Sequence, residues 1–362
     1  MDVRVLDTDF NLVAIIDLYE TLIWTERYAS CGDFELHLLM DEKYLDIFRL
    51  NYYLQLDDTD RLMIIEKFDI QDGNDEADML VISGRSLESL LERRVVWSQT
   101  TFTGTIQNAV KKLLQENVCT VGGVSPSNPL RVIPNLYFRE NTDASLANYT
   151  VEMQFDGETV YEAINKLCSL YDVGYKIICD SSYRFVFSLY QGLNRTVDQI
   201  MNPRVMFSPE FDTLSSSDYS ASMAEVRTVA MVAGEGEGAS RKKMSVSLFS
   251  EEPGGLDRRE LFVDAHDVSS DTEDGELTQQ EYDDLLIQKG MEELLKYTVT
   301  EAFSCETPQL TQYQYGVDYF NGDVVQVQNQ YGIERKMRIV EVIRTQSEVG
   351  YIVYPTFVII DE

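Results

Sequence analysis

Two stretches far apart in the chain follow nearly the same pattern. "YLQLDDTDRLMIIEKFDI" (Tyr53–Ile70) is echoed by "VVQVQNQYGIERKMRIVEVI" (Val324–Ile343). Leu54-Gln55-Leu56 parallels Val325-Gln326-Val327, and Ile64-Ile65-Glu66 parallels Ile339-Val340-Glu341, with a loop four residues longer in the second copy. Each copy reads as a strand, a polar turn and a longer strand, and another hairpin strand follows. A chain with such a unit near each end must build sheet at both ends. Hairpin grammar is common, so a duplicated domain and two unrelated hairpins both satisfy the pattern.

The segments between the two copies differ in period. Residues 1–95 alternate: "GDFELHLLM" sets Phe34, Leu36 and Leu38 on one face, as a half-buried strand does. "DEKYLDIF" reads as a short helix and "SLESLLERR" as a second, capped by Ser86. "DGNDEAD" reads as a turn into "MLVISG". Residues 96–205 change to a helical period in "TGTIQNAVKKLLQENV" and "DGETVYEAINKLCSLYDVG". In the latter, Val160, Ile164, Leu167 and Tyr171 form a stripe and Gly174 stands at the helix C-terminus. "YKIICD" and "YRFVFSLYQG" read as a hairpin across Ser181-Ser182. Strands return over 206–250. Residues 251–310 hold one long helix, "TQQEYDDLLIQKGMEELLKY", opened by a Thr278–Glu281 capping box. Residues 311–362 are strands again.

Composition narrows the function classes. Asp plus Glu number 62 against 30 Lys plus Arg, a formal net charge of −32 over 362 residues. Such a surface repels phosphate, which disfavours a groove that grips nucleic acid. The five cysteines, Cys31, Cys119, Cys168, Cys179 and Cys305, form no C-x-x-C and read as free thiols of a reducing compartment. The acidic N-terminus lacks the pattern of a signal peptide, and no apolar run reaches membrane-spanning length. The sequence thus predicts synthesis in cytoplasm and no membrane insertion.

The motifs that could carry chemistry fail on context. "GEGEGASRKK" (Gly234–Lys243) matches G-x-G-x-x-G/A through Gly234, Gly236 and Ala239. A dinucleotide loop needs a helix after it, yet Met244, Val246 and Leu248 alternate as a strand, and Glu235 and Glu237 would face the phosphates. The expectation is a structural hairpin turn at Gly234, Gly236 and Gly238, glycine supplying the positive φ that such turns demand. A calcium loop ending on Glu281 would place Ser270 and Thr272 at its first and third positions, both poor ligands, and Gly275 at its sixth. His37 and His266, the two histidines, have no partners for a zinc site or a triad. Arg93-Arg94 and Arg241-Lys242-Lys243 read as ion-pair partners within the fold or at a subunit contact. No catalytic, cofactor-binding or metal-binding residue is named.

Five blocks, "WTERYASCGDFEL", "MIIEKF", "LVISGRSLESLLERRVV", "RVMFSPEFDTLSSSDYS" and "VAGEGEGASRK", occur in this order. Together they resemble a family of tail hub proteins of long-tailed phages and prophages, similar in fold to baseplate hubs. The resemblance implies a β-rich α+β fold with two similar β-barrel-like tube domains, an α/β domain between them and a small helix-containing insertion. The first tube domain would be residues 1–95 and the α/β domain 96–205. The second tube domain would be 206–250 with 311–362, and the insertion 251–310.

It further implies a homotrimeric, pseudo-sixfold ring at the distal end of a virion tail. That ring would match a hexameric tail tube and contact the tube, distal tail ring, tape measure and tip or fibre proteins. Genomic DNA would pass through the lumen without specific binding, and acidic walls would keep it from sticking. Assembly would occur in host cytoplasm. Hubs of this fold also serve contractile particles, so the particle type stays open. Since the last tube strand is followed closely by Glu362, no wall-degrading segment is expected. The alternative from another class is a tail-associated cell-wall hydrolase using an acidic pair, and a third is a monomeric β protein that binds a small ligand.

Overall fold

The computed structural model describes residues 1–72, 77–272, 275–306 and 312–360. Much of the turn expected over "DGNDEAD" and the side chain of Cys305 lie outside the described residues. Among them, no helix is long and apolar enough to cross a membrane.

The alternating N-terminal region forms seven strands: β1 (Val3–Leu6), β2 (Leu12–Ile16), β3 (Thr21–Arg27), β4 (Asp33–Leu39), β5 (Tyr53–Leu56), β6 (Leu62–Gln71) and β7 (Met79–Ser86). The helix expected over "DEKYLDIF" is a single turn, α1 (Tyr44–Ile47). The strands are bonded in the order β3-β4-β7-β6-β5-β1-β2. Every second residue faces inward: Leu22 and Trp24, then Phe34, Leu36 and Leu38, then Leu80 and Ile82. These meet Val3, Val5, Leu54 and Leu56 in one core, so the sheet curls over its own inner face. A bulge in β6, between Ile65 and Lys67, supplies part of the bend. Before the bulge β6 is covered on both faces. Met63 and Ile65 enter this core while Leu62 and Ile64 enter the next, which explains an unbroken apolar run.

The next core belongs to β8 (Thr100–Thr105), α2 (Ile106–Asn117), β9 (Leu136–Phe138), β10 (Thr150–Phe155), α3 (Val160–Leu170), β11 (Gly174–Cys179) and β12 (Phe185–Tyr190). Thr105 caps α2, and Thr159 with Glu162 forms a capping box on α3. The helix stripes, Val110, Leu113 and Leu114 with Ile164 and Leu167, close on Tyr175, Ile177, Phe187 and Leu189.

Three local expectations change here. Ser86 does not cap a helix: residues Leu87–Arg93 form a 3₁₀ helix, and the Ser86 hydroxyl accepts from the Gly32 amide at 2.8 Å. The left-handed residue after α3 is Asp172, at φ 50°; Gly174 instead starts β11, where a Cβ would lie 2.2 Å from the Tyr28 ring. The β11–β12 hairpin closes at Cys179 opposite Phe185, a wider turn than Ser181-Ser182, held by the Asp180 carboxylate accepting from the Ser182 and Arg184 amides.

The remaining strands are β13 (Met206–Phe207), β14 (Ser216–Ser222), β15 (Val229–Ala233), β16 (Lys243–Ser247), β17 (Glu260–Asp264), β18 (Asp271–Thr272), β19 (Gly275–Glu276), β20 (Thr300–Glu306), β21 (Val324–Gln328), β22 (Glu334–Ser347) and β23 (Gly350–Ile359), with α4 (Gln279–Leu295) before β20. They divide differently from the expectation. β15 and β16 join β17 in a separate sheet against α4, with Ala230, Val232, Val246, Val263, Leu286 and Leu294 as its core. β20, expected within the insertion, lies between β14 and β23 in the large sheet. That sheet continues β14-β20-β23-β22-β3 into the N-terminal strands, 13 strands in all with β21 attached to β22 and β13 to β21. The fold is α+β and β-rich; among the described residues the strand pairing closes no barrel.

The echo in the sequence is an echo in topology. The spatial order β3-β4-β7-β6-β5-β1 is repeated by β14-β20-β23-β22-β21-β13. The strands correspond residue by residue. Leu54 is opposite Met63 as Val325 is opposite Met337, so Met63 corresponds to Met337 and Ile65 to Ile339. This register is one residue from the match written on Ile64 and Ile339, and makes the second loop three residues longer rather than four. The bulges agree with it: Glu66 is skipped in β6 and Val340 in β22. So do the residues before them. Ile65 exchanges backbone bonds with Asn51 and Tyr52, and Ile339 does so with Gly322 and Asp323. Asn51 and Gly322 both have positive φ, 67° and 97°. The copies differ at their margin: β1 runs antiparallel to β5, but β13 parallel to β21.

Candidate functional site

The two halves of the large sheet meet where β3 pairs with β22, from Arg27 opposite Glu341 to Thr21 opposite Ser347. Tyr28 extends the ladder by donating its amide to Val340 O at 2.8 Å. Ion pairs reinforce the seam on both faces. Arg27 Nε donates to Glu341 at 2.6 Å and its Nη1 to Asp33 at 2.5 Å. Arg344, 2% exposed, donates to Glu26 at 2.7 Å and to both oxygens of Asp58 at 2.9 Å. Arg338 bonds Asp172, bringing in the α/β region, and lies 4.9 Å over the Tyr28 ring.

Beside the seam is a cleft of about 530 Å³ lined by Glu26, Asp58, Asp60, Arg61, Lys176, Tyr315 and Arg344 among others. Burial alone would raise the Glu26 carboxyl. The Arg344 and Arg61 charges, with hydrogen bonds from Tyr315 at 3.0 Å and Thr59 at 3.0 Å, outweigh it and hold Glu26 below the usual glutamate range. Arg61 in turn pairs with the buried Glu88, which accepts from the Ile177 amide at 2.8 Å. These charges, drawn from all three regions, are engaged within the chain. A carboxyl held ionised in this way is not the raised-pKa acid of a glycosidase pair. Glu292 does have a raised pKa, through burial. It lines a cavity of about 150 Å³ with Glu158 and Lys166, and a groove of about 450 Å³ with Glu162, Lys289 and Glu293.

The glycine-rich turn joins β15 to β16, two antiparallel strands, with a short 3₁₀ turn and no helix at its end. Gly236 has φ 102° and Gly238 φ 57°. Gly234 is required by proximity: a Cβ there would lie 2.3 Å from the Tyr282 hydroxyl of α4. That hydroxyl accepts from the Glu235 amide at 2.7 Å, and the Glu235 carboxylate accepts from Ser270 N at 3.0 Å and Oγ at 2.6 Å. Arg241 donates to Gly234 O at 2.7 Å and pairs with Asp264, while Lys242 pairs with Asp283 of α4 at 2.8 Å. The loop's charges are thus spent on fastening the turn to α4 and β17.

The other sequence candidates fall elsewhere. Glu281 serves the capping box on Thr278; the Thr272 side chain lies outside the described residues. His37 Nε2 is 2.5 Å from Glu35, and His266 Nδ1 3.2 Å from Asp264. Arg94 donates to the Arg131 carbonyl at 2.6 Å. Four cysteines, Cys31, Cys119, Cys168 and Cys179, are free and buried. No group of three or more metal-ligating side chains occurs among the described residues. Sequence reasoning missed the seam network, because its members come from strands some 300 positions apart, Glu26 and Arg344.

A family model described as siphovirus ReqiPepy6 Gp37-like protein matches residues 2–357. The chain belongs to that family. Its fold is shared by tail proteins of known structure. The 43 kDa tail protein of prophage MuSo2 from Shewanella oneidensis is 12% identical, with 99% of this chain and 98% of that one covered and a TM-score of 0.60. A tail protein from Neisseria meningitidis MC58 is 13% identical, with 98% and 95% covered and a TM-score of 0.54. Prophage tail protein gp18 from Listeria monocytogenes EGD-e is 10% identical, with 98% and 94% covered and a TM-score of 0.55. No curated protein sequence matches the chain.

Proposed function

We propose that this Gp37-like protein is a non-enzymatic structural hub at the distal end of a phage tail. It would form a homotrimeric ring that matches the hexameric tail tube to tip proteins and lines the DNA channel. The observation that carries this reading is the large sheet, in which one strand topology occurs twice and the copies are bonded edge to edge through β3 and β22. Two such units per chain and three chains give six similar units, the number a hexameric tube presents. In this reading the tube-like units are residues 1–95 and 206–222 with 300–360. The α/β domain is 96–205, and 223–299 are inserted in the second unit.

The acidity fits the same role. A formal charge of −32 per chain lets genome transit meet repulsive walls wherever carboxylates face the lumen. Tube, distal ring, tape measure and tip or fibre proteins are the partners this position requires. The test is the native mass of the full chain by light scattering over a concentration series, with negative-stain imaging. Trimers with a central hole are expected. A chain that stays monomeric at all concentrations and degrades cell-wall material would sink the hub and revive the hydrolase.

A further inference from the structure

The repeat inside the chain contains one joint and leaves its counterpart open. Beyond its bulge, β22 is bonded on one edge to β23 and on the other to β3. Beyond its own bulge, β6 is bonded on one edge to β7, and no described strand pairs with the other edge. The strand that corresponds to β3 is β14, the last strand at the far end of the sheet. Both strands are seven residues long, Thr21–Arg27 and Ser216–Ser222. Trp24 is opposite Phe34, which is opposite Gly84; Tyr219 is opposite Phe303, which is opposite Phe357. Gly84 and Phe357 are in turn opposite Ile65 and Ile339. Tyr219 therefore holds the place of Trp24, and Ser220 that of Thr25.

We propose that copies of this chain join head to tail by β14 of one copy adding antiparallel to the outer edge of β6 of the next, in the register of the internal β3–β22 seam. Thr25 opposite Ile343 becomes Ser220 opposite Asp69, Trp24 opposite Arg344 becomes Tyr219 opposite Ile70, and Glu26 opposite Val342 becomes Ala221 opposite Phe68. Exposure supports this edge. Phe68 and Ile70 are 43% and 47% exposed, while at the equivalent positions Val342 is buried in the second core and Arg344 in the seam network. Unpaired edge strands invite addition of another strand, and on this edge the exposed apolar Phe68 and Ile70 alternate with Lys67, Asp69 and Gln71. The contact is heterologous, so repeating it closes a ring or runs on as a filament. Only the number of copies rests on the hub reading; the register does not.

Tyr28 donating to Val340 makes that pair a hydrogen-bonded one, and Thr25 opposite Ile343, three positions on, a non-hydrogen-bonded one with closer side chains. Ser220→Cys with Asp69→Cys in one full-length chain should thus form a disulfide between copies on mild oxidation with diamide. Along the sheet the two strands are seven strand spacings apart, roughly 34 Å, and the gel separates links between copies, which multiply the chain mass, from any link within one chain, which does not. The expected result is a ladder of linked species on a non-reducing gel, ending in a closed ring. The pair Ser220→Cys with Gln71→Cys, two residues out of register, should link at least tenfold less.

No link at any concentration, or equal linking by the two pairs, overturns the proposal. Phe68→Lys with Ile70→Lys changes exposed side chains and should leave the fold intact while weakening self-association tenfold or more. Unchanged association would also overturn it. Trimers that form without the Ser220–Asp69 link refute this edge but leave the hub standing. A linked ring of another size refutes the trimer but leaves the edge.

Discussion

Val342 and Phe68 hold equivalent places in the two halves of the large sheet, yet Val342 is fully buried and Phe68 is exposed. Both stand in strands that alternate apolar with charged or polar residues; Val342 also packs in the second core, and β3 covers its strand edge, whereas no described strand pairs with that of Phe68. In the second half β3 is there, locked by Arg344, Glu26 and Asp58. In the first half no described strand pairs with that edge. One architectural unit, used twice, is stabilised inside the chain in one copy and left for an outside partner in the other. The comparison also separates what folds the monomer from what the assembly needs. Side chains at the β3–β22 seam should govern stability of the isolated chain. Their counterparts on β14 and β6 should govern association.

The largest effect should come from breaking the seam. Arg344→Leu leaves Glu26 buried without its closest cation, which typically costs about 3–5 kcal/mol. Urea unfolding would show it as a lower midpoint with an unchanged slope. The counterpart Ile70→Arg should be within about 0.5 kcal/mol of wild type in the monomer. Equal losses at both positions would break the comparison.

Glu26 adds a pH signature. Its folded carboxyl is held below its ordinary value, so its stabilising contribution is present above the unfolded glutamate pKa of about 4.3 and is lost as pH falls through the folded value. Glu26→Gln should therefore flatten the acid limb of the stability profile. An unchanged limb would mean that the seam charges do not carry the acid sensitivity.

Aromatic truncation gives the next contrast. Trp24 is fully buried in the first core and Tyr219 only packs at the margin of the second. Trp24→Ala should cost about 3–5 kcal/mol in the monomer. Tyr219→Ala should cost about 1 kcal/mol there, and should weaken self-association in addition. A Tyr219→Ala variant that assembles as wild type would remove β14 from the joint.

Legibility in the sequence followed the same divide. Strands with one covered face announced themselves by period two, as with Phe34, Leu36 and Leu38. β14, "SSDYSAS", did not, because a strand exposed on nearly every residue has no apolar alternation to read. Its silence also hid the place of β20, expected within the insertion but paired between β14 and β23, while β15 and β16, expected with 311–362, pair with β17 in a sheet of their own. The echo was visible, but its register was not. A bulge inserts a residue without changing composition, and only the pairing partners reveal that Glu66 corresponds to Val340. Glycine chemistry pointed to a turn with positive φ at Gly234, Gly236 and Gly238; φ is positive at Gly236 and Gly238 but not at Gly234, whose closeness to Tyr282, 48 positions on, leaves no signal in the sequence.

That turn provides a smaller perturbation, in a sheet that the first half lacks. Gly236→Val places a β-branched residue at φ 102° and should cost about 1–3 kcal/mol. Its effect should stay within β15, β16 and α4. A variant as stable as wild type would mean that the positive φ is not needed in solution.

The smallest effect tests whether the inserted unit is independent of the sheet that carries it. Thr278 caps α4, accepting from the Glu281 amide while Glu281 accepts from Thr278 N at 2.8 Å. Thr278→Ala removes the cap and should cost about 1 kcal/mol. α4 rests on β15 and β16 and spans 17 residues, just under five turns, before four residues lead into β20, so fraying at its start reaches the large sheet only if the two are tightly coupled. Hydrogen exchange distinguishes the cases. Independent units predict faster exchange only in the first turn of α4 and in the Tyr282-bonded amide of Glu235. Faster exchange in β14 and β20 as well would mean that the insertion braces the strand proposed to meet the next copy, and would make the second half's difference from the first a means of tuning that joint.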